Sequence, residues 1–163
     1  MNYVANIEEK IEFIRNQFSP LIGRKVRGYE LAQLWCEDEC GWDFWMDLPV
    51  FLSFDDATLS ISWKNFDELA IAYDRCLPFS LEGSTVRWVC EGVSSLDSAI
   101  GKTLSFVSIG RGEMSIEEKE VEIWTRLLIG FEGGNVLEIY NALDENGIEF
   151  HQKGVLGESR KCI

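Results

Sequence analysis

The chain has 163 residues, of which 46% are hydrophobic and 12% aromatic, so it is long enough to form one domain with a substantial core. Its 28 acidic and 15 basic side chains give a net charge of −13, which repels nucleic acid and attracts basic partners. No segment has the roughly 18 to 20 apolar residues of a membrane span, and the N-terminus lacks the apolar core of a signal peptide. We therefore expect residues 1–163 to form a single cytoplasmic domain that binds neither nucleic acid nor a membrane directly.

The first predicted element is an amphipathic helix. Its apolar face repeats at helical spacing through Ile7, Ile11, Ile14 and Phe18. Asn6 is a suitable N-cap, and Glu9 three positions later completes a capping-box pattern. Pro20 predicts the end of the helix, because the residue before a proline avoids helical dihedral angles. One face must pack, so we expect this helix to lie on a sheet.

The rest of the chain predicts strands. The predicted strands cover 24–33, 44–54, 58–64 and 68–74, then 102–109, 119–131, 135–141 and 147–151. Residues 85–90 predict one further strand and residues 95–99 a short helix. In 119–131 apolar and polar residues alternate, which places Trp124 and Arg126 on the side that faces solvent. Pro49 lacks an N–H group and predicts a strand edge or a bulge.

A repeated pattern organises these strands. Ile22-Gly23-Arg24-Lys25-Val26 returns as Ile100-Gly101-Lys102-Thr103-Leu104, and similar matches continue through the later strands with a slip of one residue. We interpret the pattern as a diverged duplication, with pseudo-repeats at approximately 20–74 and 98–151. The predicted fold class is α+β and mainly antiparallel β: two diverged β-meander repeats with the N-terminal helix packed on the sheet.

Motifs for catalysis or metal binding are weak. The single histidine, His151, has no nucleophile motif to accompany it, and we expect a structural role. Cys36 and Cys40 lack the second close pair that structural zinc requires. We expect all five cysteines to be free thiols, because the set is odd and scattered. Gly110-Arg111-Gly112 predicts a turn rather than a phosphate loop. The chain is therefore expected to be non-enzymatic, with no catalytic residue, cofactor or metal.

One segment, 35–47, combines aromatic and acidic side chains. It holds three of the six tryptophans, interleaved with carboxylates. Tryptophan is enriched at interface hot spots, and neighbouring carboxylates can pair with Lys and Arg of a basic partner. A solvated hairpin loop whose tryptophans belong to the core is the alternative interpretation. The predicted partner-binding residues are Glu37, Asp38, Glu39, Trp42, Asp43 and Trp45.

The strand and turn pattern resembles small bacterial immunity-type proteins. The resemblance rests on Ile-Gly-x-x-Val, then a strand ending in Phe-Asp-Asp or Phe-Glu-Gly-Gly, then Leu-x-Ile, and on the segment from Leu137 to Gly147. It spans about half of the chain. In those families a cytoplasmic protein neutralises a secreted or contact-delivered toxin, so the resemblance implies a toxin as the partner. It assigns no toxin-binding residue.

Three functional hypotheses follow. The first is an immunity protein that neutralises a bacterial toxin, such as a nuclease, by covering its basic active site with an acidic surface. The alternative is a small-ligand-binding protein or weak enzyme with an aromatic-lined pocket between the two β units. The candidate linings of that pocket are Trp63, Trp88, Trp124 and Phe150. The third is a structural module that associates through exposed sheet edges.

Overall fold

The computed structural model describes residues 1–113, 115–116, 119–143 and 145–163, and it confirms the α+β class with mainly antiparallel strands. The helices are α1 (Ile7–Phe18) and α2 (Ser94–Asp97), and a 3₁₀ turn follows α1 at Ser19–Leu21. The strands are β1 (Gly28–Cys36), β2 (Gly41–Phe44), β3 (Val50–Ser53), β4 (Thr58–Lys64), β5 (Glu68–Tyr73), β6 (Val86–Val89), β7 (Leu104–Gly112), β8 (Ser115–Ile116), β9 (Lys119–Glu120), β10 (Ile123–Phe131), β11 (Val136–Asn141), β12 (Asn146–His151) and β13 (Ser159–Lys161).

The N-terminal helix forms as its sequence predicts. Asn6 Oδ1 accepts hydrogen bonds from the backbone N–H groups of Glu8 at 2.9 Å and Glu9 at 3.2 Å, which satisfies two of the free donors of the first turn. Ile14 and Phe18 are buried, and the helix contacts β5 and β7. It therefore packs against strands of both sheets.

Two antiparallel sheets make up most of the molecule. In the first sheet β1 is followed by β3, β4 and β5 in spatial order, while β2 and β6 also pair with β1. In the second sheet the order is β13-β7-β10-β11-β12. Each sheet is a meander, and a later strand pairs with the first strand of each. This later strand is β6, beside β1, in the first sheet and β13, beside β7, in the second. The short strands β8 and β9 form a separate ladder.

The two segments that share the Ile-Gly pattern pair with each other. Lys25 and Thr103 form an antiparallel bridge. Gly23 N donates to Leu104 O at 2.9 Å, and Gly101 N donates to Val26 O at 2.8 Å. Gly23 matches Gly101 in the repeated pattern, and Val26 matches Leu104. The two hydrogen bonds are therefore equivalent: in each, the glycine of one segment donates to the last residue of the pattern in the other segment. Gly23 and Gly101 also share a positive φ, 81° and 80° respectively, which glycine adopts without strain.

One predicted strand, 44–54, is interrupted and was wrong as a continuous element. The break covers residues 45–49, where Leu48 N donates to Trp45 O at 3.2 Å in a tight turn. Pro49 lacks an N–H group and cannot continue a strand ladder, so the proline marks the place where pairing stops.

Asn146, at the start of β12, binds the backbone of this break. Its Nδ2 donates to Met46 O at 2.8 Å and Leu48 O at 2.9 Å, and its Oδ1 accepts from Trp63 N at 3.1 Å. The side chain is 2% exposed. A single buried amide from the second sheet therefore satisfies three backbone groups of the first.

Two further predictions on the second sheet were wrong. Trp124, expected to face solvent, belongs to the core, because a register irregularity between Trp124 and Arg126 shifts the alternation of β10. Gly110-Arg111-Gly112, expected as a turn, lies inside β7, where β10 and β13 pair with its backbone.

A continuous hydrophobic cluster connects the sheets. It contains Ile14 and Phe18 of α1 together with residues of both sheets, such as Ile61 and Ile139. Trp63 Nε1 donates to Ile139 O at 3.0 Å within this cluster, so β4 and β11 are joined by packing and by a hydrogen bond.

Among the described residues, the helices are too short or too polar to cross a bilayer.

Candidate functional site

The segment with interleaved tryptophans and carboxylates forms the hairpin of β1 and β2. Trp35 pairs with Trp42 and Cys36 with Gly41, which leaves residues 37–40 as the turn. Cys40 N donates to Glu37 O at 3.2 Å and Cys40 takes a φ of 48°, so the turn closes through a left-handed residue. Asp38 suits this shape, because aspartate is a residue type that favours turns.

Aromatic residues share one side of the hairpin. Side chains alternate along a strand, so Trp35, Trp42 and Phe44 lie on the same face of the sheet as Tyr29 and Leu31. Tyr29 and Leu31, nearer the start of β1, are buried in the core. The indole rings of Trp35 and Trp42 meet edge to face, with centroids 5.4 Å apart. Trp35 and Phe44 are each 37% exposed. The same face is therefore buried near the start of β1 and exposed to solvent towards the turn of the hairpin.

Arg87 of β6 holds this aromatic group in place. Its guanidinium carbon lies 4.4 Å from the ring centre of Trp42, and its Nε donates to Gln33 Oε1 at 2.8 Å. A cation over an indole face is attracted by the ring quadrupole. The rings are therefore ordered before any partner arrives, which lowers the entropy cost of binding.

Three carboxylates occupy the turn next to these rings. Glu37, Asp38 and Glu39 are all exposed. Within the part of the chain that the structure describes, no Lys, Arg or His lies within ion-pair distance of them. We call the six residues Trp35, Glu37, Asp38, Glu39, Trp42 and Phe44 the hairpin surface.

The other two predicted binding residues lie outside this surface. Asp43 points to the opposite side of the hairpin from Trp42, and its Oδ1 accepts a hydrogen bond from Phe44 N at 2.8 Å. Trp45 lies beyond the hairpin, where its ring packs against Phe79 with centroids 5.7 Å apart. Trp45 Nε1 donates to Asp47 Oδ2 at 2.8 Å. Trp35 and Phe44 were missed as binding residues. Alternation along β2 places Phe44 on the same side as Trp42, whereas the place of Trp35 depends on the pairing register of the two strands.

The second sheet carries a polar cluster on its outer face. Glu138 is 3% exposed and accepts from Arg126 through both carboxylate oxygens, at 2.5 Å from Nε and 3.1 Å from Nη2. His151 Nε2 lies 2.7 Å from Glu138 Oε2 and 3.7 Å from Glu149 Oε2. The hydrogen bond to Glu138 raises the pKa of Arg126, so the guanidinium stays charged. No local sequence pattern indicates this cluster, because its members lie on the three strands β10, β11 and β12.

The four aromatic residues predicted to line a pocket lie in different places. Trp63 and Trp124 are buried in the core that joins the sheets. Trp88 packs on Phe51 at 4.9 Å between ring centres, and Phe150 packs on Phe131 at 6.5 Å.

Two cavities lie near the turn between β4 and β5. The first, of about 340 Å³, lies between that turn and the turn after β11, and its described lining includes Phe66, Thr125, Arg126 and Tyr140. The second, of about 400 Å³, is lined in part by Tyr3, Asp47, Trp63 and Phe79. Each volume suits a small ligand.

Comparison of the chain with protein-family models, with curated proteins and with solved structures found no match.

Proposed function

We propose that this chain is a non-enzymatic binding protein that docks its hairpin surface on a basic protein. The observation that supports the proposal most is the exposure of two aromatic rings, Trp35 and Phe44, on the same hairpin whose turn carries the three carboxylates. Large aromatic side chains dominate the binding energy of protein interfaces, and charged neighbours determine which partner is attracted. The rigid pairing of Trp42 with Arg87 adds a preorganised centre.

The partner we propose is a bacterial toxin domain with a basic active site, such as a nuclease. A nuclease cleft must be positive to hold phosphates, and Glu37, Asp38 and Glu39 would occupy that cleft in their place. The net charge of −13 adds long-range attraction and raises the rate of encounter. The resemblance of the strand pattern to immunity-type proteins supports the same partner class, and a cytoplasmic location belongs to this proposal.

The experiment that tests this function compares three baits. The first is the native protein and the second carries Glu37→Lys, Asp38→Lys and Glu39→Lys. The third is a matched control with Glu12→Lys, Glu91→Lys and Glu132→Lys, which makes the same charge change at exposed positions away from the hairpin. Purified partners found with the native bait are then measured by titration. We expect the control to bind with nearly native affinity and the hairpin variant to lose at least about a hundredfold, since close charge pairs contribute about 1.5–7 kcal/mol.

Equal affinity of all three baits would remove the hairpin surface from the interface. Equal loss in both variants would show that net charge matters and location does not. Failure of every captured partner to be a toxin, with the hairpin effect intact, would leave the binding surface and contradict the immunity role.

A second candidate function, small-ligand binding, has one observation in its favour. The cavity of about 340 Å³ is lined by Asn65 and Phe66 of the first β unit and by residues of the second, so it lies between the two units. Its described aromatic lining is Phe66 and Tyr140. Ala142 lines this cavity, so Ala142→Leu should reduce its volume. If the cavity binds a ligand, this variant should lose the thermal stabilisation that the ligand gives, while its binding to the protein partner should not change.

We also propose that the two meanders descend from one duplicated unit. The same spatial order of strands in the two sheets supports this, as does the exchange symmetry of the hydrogen bonds around Lys25 and Thr103. The duplicated part builds the sheets, and the hairpin surface belongs to one copy.

A further inference from the structure

The outer face of the second sheet buries a carboxylate where the first sheet buries a hydroxyl. Glu138 lies in β11, and Ser60, 78 residues earlier, lies in β4 and is fully buried. Ser60 Oγ accepts from Cys76 N at 2.9 Å and donates to Asp74 O, so a hydroxyl is enough to hold the covering segment there. Burial of a carboxylate costs several kcal/mol, which ion pairs only offset. Packing alone therefore gives no reason for Glu138.

The pairing register adds a second cost. Glu138 of β11 lies directly opposite Glu149 of β12. Like charges at directly opposed positions destabilise an antiparallel pair. Arg126 neutralises one of the two carboxylates, so the two carboxylates and the guanidinium together carry a net charge of −1. A cation between Glu138, Glu149 and His151 would remove that repulsion.

The distances suit a small divalent cation. Ligand atoms of Glu138, Glu149 and His151 all lie within 4.8 Å of one another. His151 Nε2 is 2.7 Å from one carboxylate and 3.7 Å from the other. Zinc ligands at about 2.0–2.2 Å from the metal in a tetrahedron are separated by about 3.3–3.6 Å, which lies between these two values. Small side-chain rotations would bring the three atoms to that spacing.

Groups around the cluster orient its carboxylates. Arg126 donates to both oxygens of Glu138, and Arg126 is in turn fixed because its Nη1 donates to Leu156 O at 3.1 Å. Tyr140 Oη donates to Glu149 Oε1 at 3.4 Å, which leaves Oε2 directed towards the imidazole. Metal-binding carboxylates are commonly held by such outer partners.

We propose that Glu138, Glu149 and His151 bind a divalent transition-metal cation, with Zn²⁺ as the best match, on the outer face of the second sheet. Imidazole with carboxylate oxygens is a donor set that Zn²⁺ accepts, and a wholly hard cation such as Mg²⁺ would not select the histidine. Glu149 and His151 are partly exposed, so water completes the coordination. The site is independent of the toxin partner and lies on a different sheet from the hairpin surface.

The test uses the single histidine of the chain. A long-range ¹H–¹⁵N spectrum of the 163-residue chain contains one imidazole, so titration with ZnCl₂ reports this site even if thiols elsewhere also bind zinc. We expect one equivalent of Zn²⁺ to shift the Nε2 resonance and to hold the ring in the Nδ1–H tautomer. Glu149→Gln should weaken the Kd for Zn²⁺ by about tenfold or more. The matched control Glu132→Gln, an exposed carboxylate in the turn after β10, should leave the Kd unchanged.

An imidazole spectrum that does not change in a large excess of Zn²⁺ overturns the proposal, and so does an unchanged Kd in Glu149→Gln. Glu138→Gln is a further variant, with circular dichroism to show that it folds. If it does not fold, the partly exposed Glu149 decides the question alone, because its replacement leaves the buried Arg126–Glu138 pair intact.

Discussion

The first strands of the two sheets differ, although the sheets share one strand order. In the second sheet β7 pairs with β10 along nearly its whole length. In the first sheet β1 pairs with two strands along the same edge: residues 28–30 pair with β3, and residues 33–36 pair with β2. The interruption at 45–49 separates β2 from β3. The break frees the end of the hairpin from the core. The same strand order therefore carries an exposed hairpin on one sheet and a charged outer face on the other.

The largest expected effect breaks the link between the two sheets. Asn146→Asp removes the two amide donors to Met46 O and Leu48 O and places a carboxylate at a site that is 2% exposed. Met46 O keeps the hydrogen bond from Asn146 N at 2.9 Å, but Leu48 O loses its side-chain donor. A buried charge without a counter-ion, beside an unsatisfied carbonyl, costs about 3–5 kcal/mol. Urea unfolding at pH 7 measures this loss. Asn2→Asp, at an exposed position, should change the free energy of unfolding by less than about 0.5 kcal/mol.

A loss below about 1 kcal/mol in Asn146→Asp, against the same control, would show that the break at 45–49 is stable without the second sheet. The projection of the hairpin would then depend on Pro49 and the local turn alone.

The next prediction compares two cysteines at matching places. Cys90 follows β6 and Cys162 follows β13, but Cys90 is exposed and Cys162 is 3% exposed. Burial raises the pKa of the Cys162 thiol from 9.0 to about 11. The stability that the neutral thiol contributes is complete below pH 9 and is lost as the pH rises through about 11, because the unfolded thiol ionises first. The loss between pH 8 and pH 10.5 should be about 2 kcal/mol.

Chemical unfolding at pH 8 and pH 10.5 separates the two cysteines. Cys162→Ala should lose less stability than the native protein over this interval, and Cys90→Ala should lose as much as the native protein. Both variants keep Tyr29, whose pKa burial raises to about 12, so its contribution cancels in the comparison. If Cys162→Ala lost as much stability between pH 8 and pH 10.5 as the native protein, the Cys162 thiol would be accessible to water.

The smallest effect on stability is expected at the hairpin surface. Trp35→Ser and Phe44→Ser each remove a ring that is only partly buried, at 37% exposure, so the free energy of unfolding should fall by about 1–1.5 kcal/mol. Trp63→Ala, in the core, is the contrast, with an expected loss of about 3–5 kcal/mol. A core-sized loss at Trp35 would favour the interpretation of a solvated loop whose tryptophans belong to the core.

Local patterns predicted much of the fold. The helix at 7–18 follows from its apolar spacing and its Asn6 cap, and the strand 58–64 has the predicted bounds. The failures have non-local causes. The irregularity beside Trp124 depends on how β10 pairs with β7, and the turn at 45–49 is satisfied by Asn146, about a hundred residues later. Neither partner can be read from the local alternation of apolar residues.

The candidate sites divide in the same way. The position of Glu37, Asp38 and Glu39 between two strands was predicted from the sequence, because the segment lies between the predicted strands 24–33 and 44–54. Which rings join them was not, since this depends on the register that sets Trp35 opposite Trp42. The cluster around Glu138 needs the register of three strands at once, and a lone histidine gives no sign of it.

The most direct test of the hairpin surface is amide hydrogen exchange in the free and partner-bound protein, followed residue by residue. We predict that binding slows exchange in residues 33–44 and leaves β11 and β12 unchanged. Protection that falls elsewhere on the molecule, with residues 33–44 exchanging at the free rate, would contradict the proposal that this hairpin is the interface.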